Sequence, residues 1–140
     1  MNFTNDASRG QLICHTFGQD TVAASQTDVQ LNVGLGEASQ TVDSYVAPWP
    51  GDVVGLAYTL SAAGTTGSFT IGATKNGTEN TNTTVTVGTT TEGYKSIQRG
   101  VMPIVAGDNI GAEITTAVGW DGTTADLAVQ VYVLYRLEGV

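Results

Sequence analysis

The sequence predicts an all-β domain built as an antiparallel sandwich, and three observations carry that prediction. Gly supplies 18 of the 140 residues, with Thr and Val also abundant and only two Met, a composition that favours strands and tight turns over long helices. Short apolar runs alternate with a period of two and are bounded by Gly, Pro, Asn or Asp. The final run, ADLAVQVYVLYRLEG, is the longest of these, and its strict alternation does not fit the 3.6-residue period of a helix. A chain of 140 residues is one domain in size and can bury a continuous core without disulfides or metals.

Residues 1–25 show weak periodicity and one apolar patch at Leu12, Ile13 and Phe17, so an extended N-terminal arm is expected there, with residues 26–140 as the sandwich. Such an arm frays at a terminus or lies across a neighbouring subunit. From Thr27, TDVQLNV, TVDSYVA and DVVGLAYTLS read as successive strands. In the third, Val54, Leu56, Tyr58 and Leu60 share the face expected to point inward. SAAGTTG is a loop, and SFTIGATKNGTE is a strand entering a hairpin at Asn76-Gly77, because a two-residue type I′ turn needs positive φ at both central positions.

NTNTTVTVGTTTEG is rich in β-branched residues and is expected to form a strand with a solvated Thr face. YKSIQRGVMPIVAGDNIGAEITT gives two more strands, with Pro103 at an edge or bend because it has no N–H to donate. In the last strand, Leu127, Val129, Val131, Val133, Tyr135 and Leu137 form a core face. The opposite face, with Tyr132 and Leu134, is too apolar to stand free and calls for a covering segment or a subunit interface.

PWPGDVVGLA and PIVAGDNIGAE share a plan of proline, Gly-Asp and alternating apolar residues. Gly allows a tight entry turn, Asp can accept from the following backbone N–H, and each copy launches a strand. Two related Greek-key halves starting strands from one rim would produce this repetition, as would coincidence between common turns.

Enzymatic chemistry finds little to work with. The single His15 adjoins the single Cys14, and neighbours on a strand point to opposite faces, which makes a poor nucleophile–base dyad. Zinc lacks ligands, and the Asp121–Asp126 stretch DGTTAD reads as a turn in preference to a Ca²⁺ loop. No phosphate-binding glycine motif is present, so no cofactor is expected. Asp52, Asp108 and Glu113 are the carboxylates a hydrolase would have to use. A net charge of -8 with five Lys and Arg argues against nucleic acid as a partner. No apolar run suits a membrane span or a secretory signal, so a chain made in the cytoplasm is expected.

The strand order from residue 41 onward, with KNGTE as a central hairpin, PIVAGDNIGAEI launching a late strand and VQVYVLYRL closing the domain, resembles phage virion jelly rolls. It looks most like the decoration, or cement, proteins of tailed-phage heads, and more remotely like the C1q and tumour-necrosis-factor fold. The resemblance implies a jelly-roll-type sandwich that is not an enzyme. It implies a homotrimer on the virion surface, bound to the major capsid protein and stabilising contacts between capsomers. Leu12, Ile13 and Phe17 would then contact the capsid or a neighbour, and Tyr132 and Leu134 would form the subunit interface. The alternative is a receptor- or carbohydrate-binding jelly roll, such as a tail-fibre tip, with Trp49 and Trp120 as sugar platforms, although Trp in a domain of this size is ordinarily buried.

Overall fold

The computed structural model describes residues 10–34 and 42–137. The alternating runs become strands β1 (Gln11–Gln19), β2 (Val29–Gln30), β3 (Asn32–Val33), β4 (Tyr45–Val46), β5 (Gly51–Leu60), β6 (Phe69–Lys75) and β7 (Thr78–Glu79). After a 3₁₀ turn at Thr81–Thr83 come β8 (Val85–Val87), β9 (Glu92–Ser96), β10 (Pro103–Ile104), β11 (Asn109–Thr116) and β12 (Leu127–Tyr135). No α-helix occurs among the described residues, and therefore no helix long and apolar enough to cross a membrane.

The strands form two antiparallel sheets. The front sheet runs β10-β5-β12-β1-β3, with β9 also on β5, and the back sheet runs β2-β11-β6-β7, with β4 on β11 and β8 on β6. Successive long strands change sheets: β5 is in front, β6 behind, β9 in front, β11 behind and β12 in front. These crossovers make the sandwich jelly-roll in type. Alternate residues of both sheets meet in one core, including Phe17, Leu56, Ile71, Ile114, Val131 and Tyr135. Each such fully buried large side chain contributes about 1.5–3 kcal/mol relative to exposure.

β12 has the expected inner face, with Leu127, Val129, Val131, Val133 and Tyr135 all buried. Leu137 follows the end of the strand and is only half-buried. The Asn76-Gly77 turn is also as expected, with φ of 53° and 81° and Lys75 paired to Thr78.

Four expectations need correction. From Gln11, the arm is a sheet strand: β1 pairs with β12 along its whole length, from Gln11 opposite Tyr135 to Gln19 opposite Leu127. Its alternation is disguised because the inward residues are Ile13, His15 and Phe17. The polar His15 is accommodated by stacking on Tyr45 at 4.6 Å and by a 2.7 Å hydrogen bond between Nε2 and the Tyr135 hydroxyl. Residues 1–9 lie outside the described residues.

In β5, Val53 is the buried residue and Val54 is not. Val133 faces Val53 while Tyr132 faces Gly55, so Val54 is the extra residue of a β-bulge that flips the alternation. TDVQLNV is no single strand either. Val29–Gln30 pair in the back sheet and Asn32–Val33 in the front, with buried Leu31 at the crossing. The Thr-rich stretch is broken by the 3₁₀ turn: the Asn80 side chain accepts from the Asn82 N–H, and the buried Thr83 hydroxyl accepts from the Ala73 N–H. These side-chain bonds to the backbone compete with the ladder.

The two Gly-Asp phrases do share a rim. β10, in the second phrase, pairs Pro103 with Asp52 and Ile104 with Gly51 of the first. Their chemistry differs, however. Gly107 turns with φ of 94°, and Asp108 accepts from the preceding N–H of Val105. Gly51 is needed for close approach, since a Cβ there would lie 2.4 Å from the Leu134 carbonyl oxygen. Asp52 accepts from the N–H of Gly100 and pairs with Arg136.

Candidate functional site

The outer face of the front sheet is the surface whose composition demands an explanation. Register defines its rows. Leu12 stands beside Leu134, and Cys14 beside Tyr132, which continues to Gly55 and Ser96. The next row is Thr16, Gln130, Ala57 and Tyr94, and the last is Gly18, Ala128, Thr59 and Glu92. The Cys14 and Thr16 rows carry no charged side chain, in a chain of net charge -8, whereas the Leu12 row continues from Leu134 to Asp52 and the last row ends at Glu92.

Relief comes from the small residues. The Tyr132 ring lies over Gly55, with Cδ2 3.5 Å from where a Cβ would be. A depression of about 240 Å³ lies between Leu12, Val54, Ala57, Tyr94 and Tyr132. A second, of about 440 Å³, lies between Thr59, Glu92, Tyr94 and Gln130. Tyr94 stands between them, 81 % exposed, and Leu12 is 56 % exposed. Cys14, beside Tyr132, is the main cause that raises the Tyr132 phenol above its ordinary pKa, as a neighbouring thiolate charge would; partial burial adds to it.

Of the residues singled out from the sequence, Leu12, Tyr132 and Leu134 are brought together on this face, the latter two half-buried. Ile13 and Phe17 are not: Ile13 packs against the core and Phe17 is wholly buried, edge-on to Tyr45 at 5.4 Å. A capsid or neighbour contact through Phe17 is therefore excluded by its place on the inner side of β1. Tyr94 was not anticipated, although the pattern Glu92, Tyr94, Ser96 against buried Ile97 could have placed it outward.

The two tryptophans separate. Trp120 is 3 % exposed, edge-on to Phe69 at 4.9 Å, with its indole N–H donating to the Val22 carbonyl, so it offers no platform to a sugar. Trp49 sits at the rim, 38 % exposed, with its ring 6.2 Å from that of Tyr135.

His15, Asp108, Asp121 and Asp126 are engaged by protein groups, whereas Cys14 is free and exposed. His15 and Cys14 point to opposite sides of β1, and burial pushes the His15 pKa down, favouring the neutral ring. Asp121 accepts from the hydroxyl and N–H of Thr65 and the N–H of Thr66, which hold its carboxyl well below the usual carboxylate range. Asp126 turns instead to the N–H of Thr21, so the two ends of DGTTAD serve separate turns. Asp108, held by Val105 N–H and the Asn76 amide, is likewise lowered. No group of three or more His, Cys, Asp or Glu suited to a metal occurs among the described residues.

No protein-family model matches the chain, and no curated protein is significantly similar to it. Among solved structures, it is similar to a chain of a "Cyanophage Pam1 capsid asymmetric unit". The identity is 12 % and the TM-score 0.47, over 96 % of this chain and 89 % of that one. At this level the similarity assigns neither a function nor a partner to this chain.

Proposed function

We propose that this chain is a non-catalytic structural virion protein, a decoration or cement protein that assembles as a homotrimer and binds the major capsid protein on the outside of a phage head. The observation that carries the assembly part of this reading is the outer face of the front sheet, whose two central rows carry no charged side chain and where Leu12, Tyr94, Tyr132 and Leu134 stand around two depressions, with Asp52, Lys95 and Glu92 at the margins. Copies with a net charge of -8 repel one another in general, and association is cheapest through a surface free of that charge. Apolar aromatic residues beside small ones provide knobs and sockets for a second copy.

The virion part rests on the strand pattern that resembles phage decoration proteins, and it suits a rigid sandwich whose work is done by contacts repeated through symmetry. Capsid contact by the amino-terminal arm remains in the proposal for residues 1–9 and for Leu12. The test is the mass of the full chain in solution by light scattering, compared with Tyr132→Asp/Leu134→Asp. A trimer that the double substitution converts to folded monomer supports the reading. A wild-type chain that stays monomeric at high concentration removes its main support.

A further inference from the structure

The back sheet holds a carboxyl pair on its outer face. Glu113 of β11 points away from the core, yet it is 6 % exposed. Register sets it between Gly72 of β6 and Gln30 of β2. Over Gly72 lies the carboxylate of Glu79, from β7: a Cβ on Gly72 would be 1.9 Å from Glu79 Oε1. Directly opposed residues on paired strands have Cβ positions about 5 Å apart, so the space above Gly72 is within reach of the Glu113 carboxyl. A hydrogen bond between the two carboxyls would need a proton on one of them.

Among the described residues, no lysine or arginine forms an ion pair with either carboxylate. Gln30 donates to Glu113 Oε2 at 3.0 Å, the Thr84 hydroxyl donates to Glu79, and Asp28, before β2, adds a further negative charge. Lys75 of β6 reaches the Pro103 carbonyl and Lys95 of β9 reaches the Thr84 carbonyl. Arg99 and Arg136 serve Asp52. We propose that Glu113 keeps its proton in the folded protein and donates it to Glu79, forming a pH-sensitive latch that pins residues 76–84 to the outer face of the back sheet.

The pinned segment has other ties, to which the latch adds: the β6–β7 pairs, Asn76 to the Asn109 backbone and the Asp108 carboxylate, the Asn80 amide to the Val101 carbonyl and Lys95 to the Thr84 carbonyl. Asn80 N–H donates to the Ala73 carbonyl at 3.0 Å and Ala73 N–H to the Thr83 hydroxyl at 2.8 Å, while Thr78, Thr81 and Asn82 face solvent. Beside it a depression of about 310 Å³ is lined by Lys75, Glu79, Asn80 and Met102. Loss of the Glu113 proton replaces a hydrogen bond with repulsion between two carboxylates, one of them shielded from water, and outward movement of Glu79 with its segment relieves it. Burial is the largest cause raising the Glu113 pKa, followed by the charges of Glu79 and Asp28; the bond from Gln30 opposes them. For a carboxyl raised in this way, the stabilisation is complete below its unfolded pKa and is lost as pH rises through the folded value.

The experiment is carried out on the full chain. Carbon NMR of the side-chain carboxyls should show Glu113 titrating above the ordinary glutamate range in wild type and closer to it in Glu79→Gln. Hydrogen exchange at the Asn80 and Ala73 amides, taken as a ratio to Val131 to cancel intrinsic base catalysis, should accelerate through that titration. The change expected is roughly tenfold for each unit by which the folded pKa exceeds the unfolded one. In Glu113→Gln the ratio should stay flat. The latch is overturned by a Glu113 titration in the usual range in wild type, by a pH-independent exchange ratio, or by saturable Ca²⁺ binding that Glu113→Gln abolishes. It lies on the sheet opposite the assembly face, so its failure leaves the assembly reading untouched.

Discussion

The guanidinium of Arg136 stands 2.7 Å from the carboxylate of Asp52, a side chain only 6 % exposed, and so ties the chain just after β12 to the first residues of β5. Arg99 approaches the same carboxylate at 3.8 Å, and the N–H of Gly100 donates to it at 3.0 Å, fastening the segment between β9 and β10. The partners differ in exposure, since Arg136 retains 27 %. Arg136→Met leaves a shielded carboxylate with a distant partner, whereas Asp52→Asn frees an arginine that can reach water. Urea unfolding should therefore show a loss of about 3 kcal/mol for Arg136→Met and about 1–2 kcal/mol for Asp52→Asn. The reverse order would show that the pair is not the main tie.

Tyr94 separates stability from assembly. At 81 % exposure, its truncation to Ala should change the unfolding free energy by less than about 0.5 kcal/mol. On the proposed assembly face the same change removes a central aromatic, and sedimentation equilibrium should show association weakened by at least about tenfold, the loss of a contact worth more than 1 kcal/mol. Unchanged association would shift the interface away from β9.

The tryptophans test the glycan alternative. Trp120→Ala should cost about 3–5 kcal/mol, because it empties a site packed by Phe69, Gly64 and Gly122. Trp49→Ala, at the rim, should cost less than half as much in the same thermal melts. Any sugar signal on a glycan array should then be insensitive to Trp120→Phe, a variant that keeps the core filled.

His15 sets an acid limit on stability. Burial lowers its pKa in the folded state, so the unfolded chain binds the proton more readily. Its contribution is complete above the unfolded pKa of about 6.5 and is lost as pH falls below it. The melting temperature of wild type should therefore fall below about pH 6.5 more steeply than that of His15→Gln, whose amide can still bond the Tyr135 hydroxyl. Parallel curves for the two would rule His15 out as the cause.

Period-two alternation made β12, β6 and β11 legible, and Asn76-Gly77 marked its hairpin without tertiary information. The apolar outer face around Tyr132 and Leu134 was also readable, because strict alternation left those residues no place inside. What escaped were features fixed by contacts distant along the chain. β1 looked like an arm because its inward His15 is satisfied by Tyr45 and Tyr135, far away in sequence. The Val54 bulge exists only against β12, and Leu31 lies at a crossing between sheets because Gln30 pairs with Glu113 behind and Asn32 with Gly18 in front. The row that joins Tyr94 to Ala57 and Gln130 required the register of three strands.

The place of β12 between β5 and β1 also governs when the protein can be finished. Leu127–Tyr135 follows every other strand among the described residues and yet fills the middle of the front sheet. A nascent chain must therefore hold β1 and β5 apart, each with an unpaired edge, until this stretch clears the ribosome. Products cut short before Leu127 would present two open borders to one another, and insoluble material should be the fate of premature stops.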